Sequence, residues 1–350
     1  MDRIENMAGV RNLPKAEVDV TVLMLFFNRP ETLCQVFEQV RKARPSRLLL
    51  YQDGPRNERD MQNIMACRSI VEDIDWQCEV HRHYLTENQG CDPSGFRSQQ
   101  WAFTIADKVI ILEDDVVPSV TFFQFCKEML DRYEHDERVM MVAGLNIDEA
   151  TADVADDYFF TSVFSIWGWA TWKRVADKWD GSYSFMKDAY SLRLLRSLIR
   201  ARGYRPDMLR MFKDHSESGK EYFETIAWAA MLLNSGLAIV PSVNMIRNVG
   251  VTSEATHYAA DMRTMPADLR WIFTMEKMEM GFPLRHPPFV VENQEYKSRY
   301  YRIMAWGHPW IKMRYSLEEL LLNLRYGNFK TIVTAIARRL HKWTGTYRYR

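Results

Sequence analysis

The sequence predicts an α/β fold with a mainly parallel central sheet flanked by helices, followed by a helical extension at the C-terminus. Two observations support this fold class. Short apolar stretches alternate with helix-like stretches between residues 18 and 144, which is the pattern of β–α–β units. Most of the apolar stretches end in polar or acidic residues, as parallel strands do where their carboxyl ends form a binding crevice.

The elements follow from apolar runs that are bounded by turn residues. The predicted strands are residues 18–27, 47–51, 77–83, 109–112, 139–144 and 237–241. The predicted helices are residues 30–42, 58–71, 94–106, 120–133 and 222–233. Pro30 suits the first turn of its helix, and Ser119 is expected to cap the helix that begins at Val120.

Composition and charge exclude several classes of protein. Of the 350 residues, 47% are hydrophobic, which is enough for a full core in one large domain or two smaller ones. Residues 297–350 carry a net charge of +10 and the first 296 residues a net charge of −10, which is not the profile of a nucleic-acid-binding chain. The five dispersed cysteines predict neither a disulfide framework nor a zinc site. Without an apolar leader or an apolar run of 18 residues, a cytoplasmic protein is expected.

Three acids, Glu113, Asp114 and Asp115, directly follow the predicted strand at residues 109–112. Adjacent carboxylates repel one another, and their burial is costly unless positive charge lies nearby. A hard divalent cation, which prefers oxygen ligands, suits such a position. The alternative is a solvated acidic turn, in which the acids favour the dipole of the next helix.

Polar residues also follow the first two predicted strands. Asn28 and Arg29 follow the first strand, and Asp53 follows the second. Right-handed crossovers place the carboxyl ends of such strands along one edge, so these residues are expected to share one crevice with the acids. Neither GxGxxG nor GxxxxGK[ST] occurs in these turns, so dinucleotide and P-loop sites are not indicated.

Three tryptophans between residues 167 and 172 surround Gly168. Core packing accounts for most such rings. The alternative is an aromatic platform beside the crevice, because aromatic faces stack on sugars and bases, and Trp169 is the residue predicted for it.

Six motifs occur in a characteristic order along residues 18–260, about 70% of the chain. They are residues 27–30, 51–54, 111–115 with the following Pro118 and Phe122-Phe123, 167–172, 234–241, and 248–250 with Thr256-His257. With these motifs the chain resembles GT-A-fold glycosyltransferases. It is similar to bacterial sugar transferases related to the N-acetylglucosaminyltransferase that initiates complex N-glycans.

The resemblance implies a metal-dependent, inverting glycosyltransferase. The donor would be a nucleotide sugar, with uridine as the expected nucleoside, and the acceptor a glycan or a lipid-linked saccharide. Glu113 and Asp114 would meet the ribose and the donor sugar. Asp115 would ligate Mn²⁺ or Mg²⁺, which neutralises the leaving diphosphate.

Further roles on the donor side are implied by the same resemblance. Asp53 would hydrogen-bond the base, and Asn28 and Arg29 would line the nucleotide pocket. His257 would close the crevice on the diphosphate or act as a further metal ligand, and Arg247 would pair with a phosphate. The alternative for His257 and Arg247 is a solvated position in a loop.

An inverting transfer also needs a carboxylate that takes the proton of the acceptor hydroxyl. Counting back from Gly236, the family carries an aspartate where this chain has Glu224. Glu224 is therefore the predicted base, with Glu221 and Asp214 as alternatives. An exposed acid that favours the helix dipole is the simpler interpretation of Glu224.

The domain organisation predicted on this basis has three parts. Residues 1–17 form an N-terminal tail, and residues 18–292 form the catalytic domain, with a nucleotide-binding half at 18–118 and an acceptor-binding half at 119–292. Residues 293–350 form a basic helical extension. Residues 310–315 and 329–343 mix apolar and basic side chains, which predicts peripheral contact with an anionic membrane. The alternative is a helix packed on the catalytic domain.

Two other functions are less compatible with the sequence. A sugar-1-phosphate nucleotidyltransferase needs a glycine-rich basic loop after the first strand, whereas residues 28–31 contain no glycine. A non-catalytic sugar-binding protein has no need of three adjacent acids.

Overall fold

The computed structural model describes residues 13–199, 204–250 and 262–343. The strands are β1 Val18–Phe26, β2 Pro45–Gln52, β3 Glu79–Tyr84, β4 Lys108–Glu113, β5 Val116–Pro118, β6 Val139–Ala143, β7 Tyr158–Thr161, β8 Trp169–Trp172, β9 Leu237–Pro241 and β10 Ile246–Asn248. The helices are α1 Pro30–Ala43, α2 Met61–Glu72, α3 Cys91–Ala102, α4 Thr121–Arg132, α5 Lys173–Ala176, α6 Ala189–Leu198, α7 Arg205–Ser218, α8 Phe223–Leu233, α9 Ala267–Thr274, α10 Gln294–Ile303, α11 Pro309–Arg325 and α12 Phe329–Trp343.

Eight of the strands form one sheet in the order β3-β2-β1-β4-β8-β6-β9-β7. The first four strands in this order are parallel. The fifth strand, β8, runs antiparallel to both of its neighbours, β6 pairs with β9 in parallel, and β7 closes the sheet as an antiparallel edge. The predicted fold class is confirmed: a central, largely parallel sheet is flanked by helices and followed by a helical extension.

The order of the sheet determines where a crevice opens. The chain passes from β1 to β2 and β3 on one side and then returns to place β4 on the other side of β1. The register pairs Leu25 of β1 with Glu113 of β4, so the two strands end level with each other. The carboxyl ends of β1 and β4 therefore flank a topological switch point, where open α/β sheets bind ligands.

A second, two-stranded sheet pairs β5 with β10 in antiparallel fashion. It holds the segment that follows the three acids, and the amide of Val249 donates to the carbonyl of Asp115 at 2.9 Å. Gly250 packs so closely on Asp115 that a β-carbon there would lie 1.8 Å from Oδ2. The close approach requires glycine at position 250.

Two predicted helix starts differ from the structure. Helix α3 begins at Cys91 rather than Ser94, because Gly90 adopts φ 89° immediately before it and Pro93 suits a first turn. Ser119 does not cap α4. The Glu279 carboxylate accepts the amides of Val120 at 3.0 Å and Thr121 at 2.8 Å instead, so a residue far along the chain satisfies the helix end.

The core lies on both faces of the sheet, and the C-terminal extension starts by packing on it. Helix α10 buries Tyr296 and Tyr300 in a second apolar cluster with Phe159, whose ring is 4.7 Å from that of Tyr296. Helices α11 and α12 follow. Among the helices of the described residues, none has the combined length and apolar content that crossing a membrane requires.

Candidate active site

The acids that end β4 are held by an arginine that follows β1. Arg29 Nη1 donates to Asp115 Oδ2 at 2.9 Å, and Arg29 Nη2 donates to Asp114 Oδ1. Asp114 Oδ2 also accepts the amide of Phe27 at 3.1 Å. The Asp114 side chain is 4% exposed, so it depends on these donors for its charged form. Arg29 therefore supplies positive charge next to the adjacent carboxylates, as their burial requires.

The electrostatics show that one guanidinium does not balance the acids. Burial raises the pKa of Glu113, and the charges of Asp115, Glu224 and Asp114 raise it further. Burial also raises the pKa of Asp114 to about 6, although Arg29 acts in the opposite direction. Burial works against the charge on Arg29, but the carboxylates of Asp114 and Asp115 outweigh it and raise the pKa of Arg29. The crevice keeps an excess of negative charge.

This donor set fits a hard divalent cation in charge and in ligand type. Such cations are commonly held by one or two carboxylates together with phosphate oxygens. Within the described residues no group of three His, Cys, Asp or Glu side chains is placed to hold a metal ion. The second predicted ligand, His257, lies outside the described residues.

A cavity of about 660 Å³ opens beside the acids. Five of the predicted site residues line it: Asn28, Arg29, Asp53, Glu113 and Asp114. The end of β1 also lines it, as do the loops after β2 and β3 and the first turns of α2 and α3, namely Leu25, Phe26, Phe27, Arg56, Asp60, Asn63, Asn88, Gly90, Cys91 and Ser94. The sequence therefore identified the strands that contribute to the crevice, and the structure brings their ends together as predicted.

Asp53 has a different task from the predicted contact with a base. Its Oδ1 accepts the amides of Gly54 at 2.9 Å and Gln89 at 2.8 Å. Its Oδ2 accepts the Asn88 amide group at 2.9 Å and the Gly90 backbone amide at 3.0 Å. These four bonds use the acceptor capacity of the carboxylate. Asp53 therefore holds the turn before α3 against the loop after β2.

Asp60 and Arg56 are wall residues that the sequence analysis missed. Asp60 is buried, and hydrogen bonds from Arg56 hold its pKa at about 2 against the effect of burial. Asn28 Nδ2 donates to the same carboxylate at 2.7 Å, and the Arg56 guanidinium lies 5.0 Å from the centre of the Phe27 ring. Arg56 and Asp60 lie in the segment that follows β2, shortly after Asp53. The rule that places the residues after parallel strands along one edge of the sheet applies to them as well and would have identified both.

Glu224 lies in the first turn of α8 and is not among the described residues that line this cavity. Its side chain is exposed, and its charge raises the pKa of Glu113. The neighbouring Phe223 is buried and stacks on Trp169 with ring centres 5.6 Å apart. Trp169 itself is only 2% exposed. The predicted role of Trp169 as an open platform is therefore wrong: packing against Phe223 places it in the core, where it fixes the start of α8.

The two alternatives to Glu224 occupy different surroundings. Glu221 pairs with Arg97 of α3 at 3.5 Å, which ties the start of α8 to the helix beside the cavity. Asp214 lines a separate cavity between α6 and α7. Arg247, expected on a phosphate, is 46% exposed and lies 3.8 Å from Glu276, outside the cavity wall formed by the described residues.

A buried histidine joins α7 to the same turn of α8. His215 lies within 2.9 Å of Thr225 through Nδ1, and its ring stacks on Tyr222 with centres 3.7 Å apart. Burial lowers the pKa of His215 to about 4, against the opposing charge of Asp214. A neutral imidazole thus supports the segment that carries Glu224.

No protein-family model and no curated protein matches the chain. Among solved structures, it is similar to the mannosyltransferase PcManGT from Pyrobaculum calidifontis in complex with GDP-Man and Mn²⁺, at 12% identity and TM-score 0.37 over 97% of this chain and 88% of that one. It is also similar to HddC from Yersinia pseudotuberculosis complexed with GMP-PN, at 13% identity and TM-score 0.29 over 45% and 79% of the two chains. Mouse xyloside xylosyltransferase 1 in its apo form is similar at 10% identity and TM-score 0.33 over 62% and 81%. At these scores the likeness does not carry an activity over to this chain.

The ion pair between Arg29 and the acids leads to a first prediction. Replacing Arg29 by Met should lower the free energy of unfolding by about 3 kcal/mol at neutral pH, because Asp114 loses its countercharge and must either stay buried as an unpaired carboxylate or take up a proton. The loss should shrink in mildly acidic buffer, where Asp114 takes up a proton, and in the double variant with Asp114→Asn. Urea denaturation at both pH values measures it. Arg138→Met, on a surface arginine, is the control, and an equal loss in both arginine variants would contradict the prediction.

His215 leads to a second prediction, on the pH dependence of stability. The unfolded chain protonates this histidine near pH 6.5, whereas the folded chain keeps it neutral to about pH 4. The neutral form therefore contributes stability that is complete above pH 6.5 and is lost as the pH falls towards 4. His215→Gln should flatten that part of the stability profile, measured by urea denaturation between pH 7 and 4.5. Parallel profiles for the two proteins would show that His215 does not carry this dependence.

Proposed function

We propose that the protein is an inverting, metal-dependent glycosyltransferase of the GT-A type that uses a nucleotide sugar as donor. The observation that supports it is one convergence at the switch point between β1 and β4. Three acids and a cavity of about 660 Å³ lie there, and the charge of Glu224 on helix α8 acts on Glu113. The proposal also includes the resemblance of the sequence motifs to GT-A glycosyltransferases, in particular to the N-acetylglucosaminyltransferase group.

The cavity is proposed to receive the nucleoside diphosphate part of the donor, with uridine as the expected nucleoside. Arg29 and Asn28 line it, and Arg56 adds a second guanidinium to its wall. Glu113 and Asp114 lie where the ribose and the sugar would enter. Since Asp53 is committed to the turn before α3, base recognition is assigned instead to the loops that Asp53 orders.

Asp115, together with His257, is proposed to hold Mn²⁺ or Mg²⁺. When bound, the cation would neutralise the charge that develops on the diphosphate as it leaves the sugar. Arg29 would share that task from the other side of the same carboxylate, because it already contacts Asp115.

Glu224 is proposed as the general base. In an inverting transfer, a carboxylate takes the proton of the acceptor hydroxyl while its oxygen attacks the anomeric carbon opposite the leaving group. Phe223, stacked on Trp169, anchors the first turn of α8, so the adjoining carboxylate is presented from a rigid element.

The acceptor is proposed to lie along α8. Trp228 follows Glu224 by four residues and therefore lies on the same side of the helix. Its ring borders a second cavity of about 470 Å³ together with Tyr204 and Trp306. The three rings stack on one another, with the Tyr204 and Trp306 centres 4.4 Å apart. An aromatic wall beside the base suits a saccharide or a lipid-linked saccharide acceptor, the latter at the inner face of a membrane reached through the C-terminal extension.

A screen of nucleotide sugars tests the activity directly. One donor should be hydrolysed to its nucleoside diphosphate in the presence of Mn²⁺, and excess EDTA should stop the release. Asp115→Ala should abolish the release while the circular dichroism spectrum stays native, because Asp115 lies in a turn at a strand end. Release that continues in EDTA would contradict the metal assignment. Pyrophosphate release from a sugar phosphate and a nucleoside triphosphate would instead identify a nucleotidyltransferase.

The base assignment leads to a separate prediction. Glu224→Gln should keep the affinity for the nucleoside diphosphate, measured by calorimetry, but lower turnover by about 10²–10⁴-fold, the usual contribution of acid–base catalysis. Glu221→Gln is the matched control, since Glu221 precedes the same helix but pairs with Arg97. If the two variants lose turnover equally, Glu224 is not the base.

A further inference from the structure

Helix α11 carries a stripe of large apolar side chains that face solvent. Six residues form this α11 stripe, exposed by 39–76%: Trp310, Met313, Leu317, Leu320, Leu321 and Leu324. They recur at intervals of three or four residues and so lie along one side of a helix about 25 Å long. Phe329 and Val333 continue it onto α12, exposed by 64% and 66%.

The opposite side of α11 fixes its orientation. Tyr315 is buried, and its hydroxyl donates to the carbonyl of Ile303 at 3.0 Å and to Asp268 at 2.9 Å. Glu318 accepts the amide of Ala267 at 2.9 Å. These contacts bind the polar and aromatic side of the helix to the protein and leave the apolar side outward. The alternative considered from the sequence was a helix that packs its apolar side on the catalytic domain. In α11 the apolar side faces solvent instead.

An exposed apolar surface of this extent marks an interaction site, whereas apolar residues scattered singly do not. The charges around the α11 stripe indicate its partner. Arg325 and Lys330 are exposed nearby, as is Arg314, which pairs with Asp268, and residues 297–350 carry a net charge of +10. Two copies of the chain meeting through this surface would bring like charges together. An anionic surface would instead be complementary to it.

We infer that the α11 stripe is a membrane-binding surface. Helix α11 lies in the headgroup region of an anionic bilayer, with the stripe towards the lipid. Apolar side chains enter the interface and basic side chains meet the lipid phosphates, as in amphipathic helices that lie parallel to a membrane. This places the contact mainly on α11, whereas the sequence indicated residues 310–315 together with residues 329–343. In that segment, the side chains of Ile336 and residues 338–343 are outside the described set.

The position of the α11 stripe connects it to the proposed acceptor side. The first turn of α11 borders the cavity that Trp228 and Trp306 line, through Pro309 and Lys312. An acceptor whose lipid stays in the bilayer would therefore present its saccharide next to that cavity. This consequence rests on the proposed function, whereas the membrane contact itself does not.

Sedimentation of the full-length protein with vesicles tests the inference. The protein should pellet with phosphatidylglycerol vesicles at low salt, less at high salt, and weakly with phosphatidylcholine. Leu317→Glu combined with Leu321→Glu should reduce the binding about tenfold or more, because both charges enter the centre of the buried face. Leu194→Glu with Leu198→Glu is the matched control, since these α6 leucines are 44% and 50% exposed; it should bind like the wild type.

Two further measurements keep the outcomes distinct. Leu317→Ser with Leu321→Ser removes apolar surface without adding charge, and it should also lose binding. Donor hydrolysis without vesicles should be unchanged in these variants, so a failure of the proposed enzyme activity would appear separately. Vesicle binding that survives both pairs of substitutions would overturn the inference. So would sedimentation equilibrium showing a wild-type dimer that the substitutions dissociate while vesicle binding persists.

Discussion

The ion pair between Arg29 and the adjoining carboxylates of Asp114 and Asp115 is the interaction on which the site depends. Two parallel strands end side by side, and one of them is followed by two buried acids, Asp114 and Asp115, next to the half-buried Glu113. Without a countercharge their repulsion and desolvation would oppose that placement. Because Arg29 follows the partner strand, the same contact that balances the acids also holds the two strand ends together.

The positive charge of Arg29 does not balance the negative charge of the three acids. This excess of negative charge favours the binding of a cation in the crevice. One guanidinium faces three carboxylates, and the pKa values of Glu113 and Asp114 stay raised. Such a site would gain from further positive charge, for example that of a bound divalent cation.

Structural features that depend on short stretches of sequence could be predicted from the sequence. Apolar runs located six of the ten strands in the described residues, and the short strands β5, β7, β8 and β10 were missed. The edge rule placed Asn28, Arg29, Asp53 and the acids together. The errors concern partners far along the chain. Glu279 caps α4 in place of Ser119. The acceptor capacity of Asp53 is used by residues 88–90, and Trp169 is covered by Phe223. No window of sequence contains these pairs, because tertiary packing brings them together.

Helix α8 links the two halves of the chemistry that the site suggests. Most of its surface is buried, and its open side carries Glu224 and then Trp228. The charge of Glu224 raises the pKa of Glu113. Trp228 borders the aromatic cavity that residues of α11 also line. Phe223 packs on Trp169 at the start of this helix, and Trp228 stacks on Trp306 of the C-terminal extension. These two contacts fix the position of the Glu224 backbone between the two cavities. The α11 stripe lies on the outer side of this extension, because the opposite side of α11 contacts Ile303, Asp268 and Ala267.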